Sequence, residues 1–248
     1  MCRFYRLAAL AVVFTAGIAH AQVVVPNSAA GVEGDGTFAL TSTATAGRTY
    51  QMTIAASQLT GMIGQEIIGW QWRLNGPATA AWPPSNVTYA FWDVFIGPGV
   101  SPSAMSTTFA SNFTSTPTQV RSGPHNWDAG AFTFGSSPNA FGPTMTFTTP
   151  YLYTGGDLTI EMRFAAQVGA TTQSPFDALN ASGGPGNGWG VDFSARWTGN
   201  SAGTTGSNGN FLVTNLIVVP EPTSLILAGV SLASAAVWRQ RRRSTAGS

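Results

Sequence analysis

Apolar residues recur at every second position in several short stretches of this chain, and clusters of glycine, proline, serine and asparagine separate them. A period of two marks strands with one buried face. Residues 49–54 put Tyr50, Met52 and Ile54 on one side and Thr49, Gln51 and Thr53 on the other. Residues 157–164 give the cleanest alternation, with Leu158, Ile160, Met162 and Phe164 opposite Thr159, Glu161 and Arg163. Residues 66–74 group Ile68, Trp70, Trp72 and Leu74, with Glu66 at the end of that face. Residues 189–197 place Val191, Phe193 and Ala195 between Trp189 and Trp197. Residues 87–96 (V-T-Y-A-F-W-D-V-F-I) are a largely apolar run, as expected of one strand covered on both sides, ending at Gly97-Pro98-Gly99. Weaker candidates are 23–25, 36–43, 105–113, 118–121, 131–134 and 144–148, with a last strand over 211–219. Residues 55–61 read as a turn or one helical turn, and 167–188 and 199–210 as long loops. Eight to ten strands with no amphipathic helix between them predict a single all-β domain. The expected form is a β-sandwich of jelly-roll type, with a barrel as the alternative.

The two ends follow a different rule. Residues 1–21 carry Arg3 and Arg6, an apolar run from Leu7 to Ile18, then Ala19-His20-Ala21. A basic start, a short apolar middle and a small-x-small site describe a secretory signal peptide cut before Gln22. At the other end Pro220-Glu221-Pro222 precedes an almost uncharged run from Thr223 to Trp238, followed by Arg239, Arg241, Arg242 and Arg243. As a helix, that run spans roughly 24 Å at ~1.5 Å per residue, slightly short of a bilayer core of about 30 Å. Snorkelling arginines and Trp238 at the interface cover the shortfall. The arginine cluster stays cytoplasmic under the positive-inside rule, so everything before Pro220 lies outside. Pro222 is barred from a helix interior, which leaves the Pro-Glu-Pro segment extended and open to a processing enzyme. The organisation expected is 1–21 signal peptide, 22–219 secreted domain, 220–243 sorting signal and 244–248 tail.

Pro-Glu-Pro, a single hydrophobic helix and a terminal arginine cluster, in that order, resemble the PEP-CTERM sorting signal of bacterial surface and matrix proteins. The resemblance implies recognition by an exosortase, a membrane cysteine protease that removes the tail; a permanent membrane anchor is the plainer alternative. The stretch R-x-Y-Q … A-S-Q-L (Arg48 to Leu59), followed by I-I-G-W-Q-W-R-L, is also loosely similar to mature domains of other PEP-CTERM proteins. That likeness implies no activity.

Charge narrows the partners. Six of the eleven arginines lie in the two terminal segments, and the chain has no lysine. Between residues 22 and 219, five arginines face nine carboxylates, a net of −4. So few cations exclude nucleic acid as a partner. Low charge density suits neutral, hydroxyl-rich neighbours, and the expected partner besides exosortase and the membrane is exopolysaccharide. Cys2 is the only cysteine and leaves with the signal peptide, which removes disulfides and catalytic thiols from the domain.

Candidate chemistry is sparse. His125 stands three residues from Asp128 in G-P-H-N-W-D, without a G-x-S-x-G nucleophile turn to serve. Asp157 and Glu161 share a strand face about 13 Å apart at Cα, far for a glycosidase pair, and Glu161 reads as part of a solvated face. Glu33 and Asp35, in E-G-D-G, are candidate ligands of a structural calcium, against an ordinary acidic turn. No other cofactor is expected, and no catalytic residue. Tryptophans carry the remaining possibility, since sugar rings stack on flat aromatic faces. Trp70, Trp72, Trp189 and Trp197 follow the inward period. Trp82, beside Pro83-Pro84, and Trp127, in the histidine loop, are the two expected to be exposed and to bind carbohydrate. The sequence thus predicts a non-enzymatic exported surface or matrix protein, with a carbohydrate-binding module as the alternative.

Overall fold

The computed structural model describes residues 21–41 and 46–220. The expected signal helix, the apolar run 223–238 and the arginine cluster lie outside the described residues. Within them the chain is all-β, as its alternation predicts. The strands are β1 (Ala21–Val25), β2 (Gly36–Ala39), β3 (Arg48–Ile54), β4 (Gln65–Gln71), β5 (Val87–Tyr89), β6 (Trp92–Pro98), β7 (Thr118–Arg121), β8 (His125–Trp127), β9 (Met145–Tyr153), β10 (Leu158–Phe164), β11 (Pro175–Leu179), β12 (Phe193–Thr198), β13 (Ser207–Asn208), β14 (Phe211–Leu212) and β15 (Thr214–Pro220). Two antiparallel sheets carry the architecture. One has the order β1-β15-β4-β9 and the other β13-β12-β3-β10-β6-β7. Two smaller sheets, β14-β11-β2 and β5-β8, complete the strand set.

The inward rows of both large sheets join one apolar core. Tyr50, Met52 and Ile54 of β3 and Ile160, Met162 and Phe164 of β10 meet Ile67 and Trp70 of β4 and Leu216 and Val218 of β15 there, all buried. Trp72 bridges the two sides, with its ring 5.3 Å from that of Trp70 and 6.1 Å from that of Trp92. Trp92 and Phe164 are register partners across β6 and β10 and lie stacked at 4.0 Å. Such aromatic pairs add roughly 0.5–1.5 kcal/mol each beyond the area they bury.

Several boundaries differ from the alternation read in the sequence. The run 87–96 is two strands, β5 and β6, which belong to different sheets. Ile68 sits in a bulge: the pairing of β4 skips it between Ile67 and Gly69, so Ile67 rather than Ile68 joins the core. Gly69 is required there, because a Cβ would lie 2.6 Å from the Met145 carbonyl of the neighbouring strand. Residues 105–113 form no strand; a short 3-10 turn, Phe109–Asn112, lies within them. Residues 131–134 hold only an isolated bridge at Phe132. The expected loop 167–188 contains β11, whose Phe176 packs into the aromatic core. His125–Trp127, read as loop, is the short strand β8.

Candidate functional site

The outward row of the six-stranded sheet is polar, and the segment 99–117 with its two 3-10 turns is laid across it. Ser194 Oγ donates to the Pro102 carbonyl (2.8 Å), Arg196 Nη2 to Met105 O (2.7 Å) and Gln51 Nε2 to Phe109 O (3.0 Å). Asn112 Nδ2 in turn donates to Gln51 Oε1 (2.6 Å), and Thr159 Oγ1 donates to Asn112 O (3.0 Å). The polar side chains of the sheet thus satisfy backbone carbonyls that would otherwise be buried without partners. Glu161 belongs to this layer. It is 5% exposed, which corrects the expectation of a solvated face. Its Oε2 accepts from Gln51 Nε2 (2.8 Å) and its Oε1 from Arg163 Nε (2.6 Å). Asp157 does not join it: that carboxylate precedes β10 and caps the Ala56 N–H at 2.8 Å.

Beside this layer lies an open groove of about 520 Å³. Its walls are Phe95, the β6 register partner of Glu161, and Phe113, with Glu161 and Arg163 as the only charged groups among the described residues and Thr114, Ser115 and Thr116 on the covering segment. Alternation did place Glu161 and Arg163 on outward positions, while Phe95 lay in the run 87–96, expected to be covered on both sides. Their convergence with Phe113 depends on how 99–117 folds over the sheet, which no local pattern encodes.

The tryptophans expected to be exposed are not. Trp82 is 3% and Trp127 4% exposed, because the turns around them fold inward onto Phe132 and Phe176. Trp82 and Trp127 lie 5.3 Å apart edge-on, and Trp82 Nε1 donates to Thr172 O. Both rings pack in the apolar core, which corrects the expectation that they are exposed. Trp189 and Trp197 are half-buried, and Trp197 is covered on one side by the Arg48 guanidinium at 4.6 Å.

Glu33 and Asp35 act as loop staples. Glu33 accepts from the Gly76 N–H and from Ser137 Oγ, while Asp35 Oδ1 accepts from Asn180 N (2.8 Å) and Oδ2 from Asn187 Nδ2 (3.1 Å). Between them, Gly34 N donates to Asp177 Oδ1 (2.9 Å), whose Oδ2 pairs with Arg73 Nε at 2.7 Å in full burial. Arg73 Nη2 also donates to the Ala29 and Val32 carbonyls. The acidic turn is thus fastened to three neighbouring segments, and its carboxylates point to separate partners rather than to one ion. No group of three acidic, histidine or cysteine side chains able to hold a metal occurs among the described residues.

His125 is held in an aromatic cage. Its ring lies 4.9 Å from Trp127 and 5.7 Å from Trp92, and its Nδ1 meets Arg121 Nη2 at 3.2 Å. Burial, helped by the Arg121 charge, lowers its pKa to about 4. Arg121 itself is tied to the Trp92 and Pro124 carbonyls. Asp128, the carboxylate three residues on, is exposed and has no hydrogen bond to His125.

The sorting segment begins inside the sheet. β15 runs antiparallel between β1 and β4, with Val218 opposite Ala21 and Pro220 opposite Gln65. Val218 is fully buried and Val219 half-buried, so protection by the fold ends within two residues of the Pro-Glu-Pro motif. Ala21, the residue before the expected signal cut, is exposed on the same ladder. The expected signal cut and the Pro-Glu-Pro motif therefore lie at one end of one strand pair, with paired Cα atoms about 5 Å apart.

Residues 218–243 match the family model of the PEP-CTERM protein-sorting motif, as read from Pro220 to Arg243. The motif implies recognition by an exosortase and sorting to the cell surface. No curated protein and no solved structure matches the chain.

Proposed function

We propose that this is a non-enzymatic exported protein of the cell surface or extracellular matrix, a compact β domain delivered by its tail and held among exopolysaccharide. One observation carries the reading: the PEP-CTERM match starts at Val218, the third residue from the end of a buried strand, so the sorting signal follows the folded domain without a linker. Residues 1–21 direct export and are removed before Gln22. The run 223–238 crosses the membrane with Arg239, Arg241, Arg242 and Arg243 on the cytoplasmic side until an exosortase cuts the tail. Because β1 and β15 are neighbours, both hydrophobic segments reach the bilayer from the same end of the domain, and the precursor stands on the membrane by that end. We read the domain as a jelly roll. The sheet order β1-β15-β4-β9 facing β3-β10-β6-β7 supports this, with the first and last strands paired and β12 and β13 added beside β3.

The non-enzymatic reading is supported by how the candidate groups are engaged: His125 is caged by rings, and Asp157 and Glu161 serve different hydrogen bonds. The test is replacement of Pro220, Glu221 and Pro222 by alanine. The precursor should then accumulate in the membrane fraction at full length. Normal release of that variant would sink the sorting proposal.

A further inference from the structure

We propose that the groove between Phe95, Phe113 and the Glu161–Arg163 pair is a binding site for neutral polysaccharide, taking one or two sugar units of a chain. The inference rests on the matrix reading above, and it names the place on the domain where that contact is made.

Four observations converge on it. The volume, about 520 Å³, is in the range of small-ligand sites, and the groove is open at the surface, as a polymer requires. Its walls supply two half-buried phenylalanine rings, on which the C–H faces of a sugar pack. Its floor supplies a fixed polar pair of opposite sign. Glu161 lines the groove with a side chain that is 6% exposed, and Gln51 and Arg163 place one donor on each of its oxygens, which leaves acceptor capacity on the carboxylate at the groove surface. Arg163 is 28% exposed at its side chain, and its Nη2 has no acceptor among the described residues, leaving donors for a hydroxyl or ring oxygen. Thr114, Ser115 and Thr116 add exposed hydroxyls at the rim.

Charge selects the class of ligand. The carboxylate and guanidinium neutralise each other at 2.6 Å, and among the described residues the groove contains no other ionisable side chain, so neither a polyanion nor a polycation finds a net counter-charge. A hydroxyl-rich neutral chain fits a site that offers one strong acceptor and one strong donor side by side. Glu161 has no second carboxylate in the groove, so the site binds a glycan without cleaving it.

The experiment is isothermal titration calorimetry on the full chain, purified in a detergent without a sugar headgroup. The titrants are neutral gluco-, manno- and galacto-hexaoses and, as a charged control, a galacturonate hexamer. At least one neutral hexaose should bind with Kd between about 10 µM and 1 mM, and the galacturonate should bind at least tenfold more weakly. Phe113→Ala and Glu161→Gln should each weaken binding tenfold or more. Thr116→Arg, at an exposed rim position away from the buried network, should block the groove while leaving the thermal transition unchanged. The proposal is overturned if no neutral hexaose binds, if the galacturonate binds better, or if Thr116→Arg binds like the parent. Failure here with normal tail-dependent release leaves the sorting proposal standing; loss of tail-dependent release with binding intact does the reverse.

Discussion

Gln51 and Met52 are neighbours in β3, both fully buried, and face opposite ways. Met52 enters the aromatic and aliphatic core between the two large sheets, where any well-shaped apolar side chain is satisfied. Gln51 enters the layer under the segment 99–117, where it has named partners on Phe109, Asn112 and Glu161. The same contrast runs along β10, between Ile160 and Met162 on one side and Thr159 and Glu161 on the other. The two faces of one sheet are stabilised by different physics. The first depends on area and fit, and tolerates exchange among residues of similar volume. The second gains little from each hydrogen bond, about 0.5–1.5 kcal/mol net, but loses more when one partner is left alone.

The largest effect is expected on the apolar face. Trp92 stacks on Phe164 and is touched by Tyr89, Trp72 and Trp127, while its Nε1–H has no acceptor among the described residues. Trp92→Ala should cost about 3–5 kcal/mol in urea unfolding. Trp92→Phe should cost less than half of that, because the ring stack remains and the unpaired N–H is removed. Equal costs for the two would show that this face, too, is held by polar contacts, and would erase the distinction.

The polar face comes next. Gln51→Ala leaves Asn112 Nδ2, the Phe109 carbonyl and one oxygen of Glu161 short of a partner, and should cost about 2–3 kcal/mol. Because those partners belong to 99–117, amide exchange in that segment should rise before the sheet unfolds. If exchange rises uniformly across the molecule, the layer is not a separate unit.

This contrast also explains what could be read in advance. Alternation assigned Tyr50, Met52, Ile54, Ile160 and Met162 to the core and put Gln51, Thr159 and Glu161 on the far side. It could not tell that the far side would be covered, since polar residues read the same under water or under a loop that offers carbonyls. Trp82 and Trp127 went wrong for the complementary reason. Proline- and glycine-rich surroundings mark turns, and turns normally lie at the surface, but these fold inward onto Phe132 and Phe176 through long-range contacts. The R-x-Y-Q … A-S-Q-L stretch gains a structural meaning: Arg48 donates to the Ala39 and Leu40 carbonyls, Tyr50 Oη to Asn210 O, and Gln58 Nε2 to Asp192. The tail was legible because its three parts are contiguous, whereas the groove is assembled from strands and a segment far apart in sequence.

The smallest expected effect lies where the two kinds of packing meet. His125 presents its ring to Trp92 and Trp127 and its Nδ1 to Arg121, so it is held by the aromatic core on one side and faces a cation on the other. Its folded pKa of about 4 lies below the ordinary value of about 6.5. Between those values the unfolded chain binds a proton that the folded one refuses, so stability falls as pH drops through that window. At pH 5 the loss relative to pH 7.5 should be about 1–2 kcal/mol after allowing for the ring's partial exposure, roughly 2–8 °C in Tm. Asp177 works the other way. Burial pushes it up to about 6 against the pull of Arg73, so its contribution grows on acidification from about 6 towards 3.8. The bare pH profile therefore mixes two opposed slopes, and the informative quantity is the difference between the parent and His125→Phe. Asp177 is common to both and cancels, leaving the parent more acid-sensitive than the variant by that 1–2 kcal/mol. Urea midpoints at pH 7.5 and pH 5 measure it. Identical shifts in the two proteins would mean that His125 takes its proton as easily folded as unfolded, and that the aromatic cage excludes less water than its geometry implies.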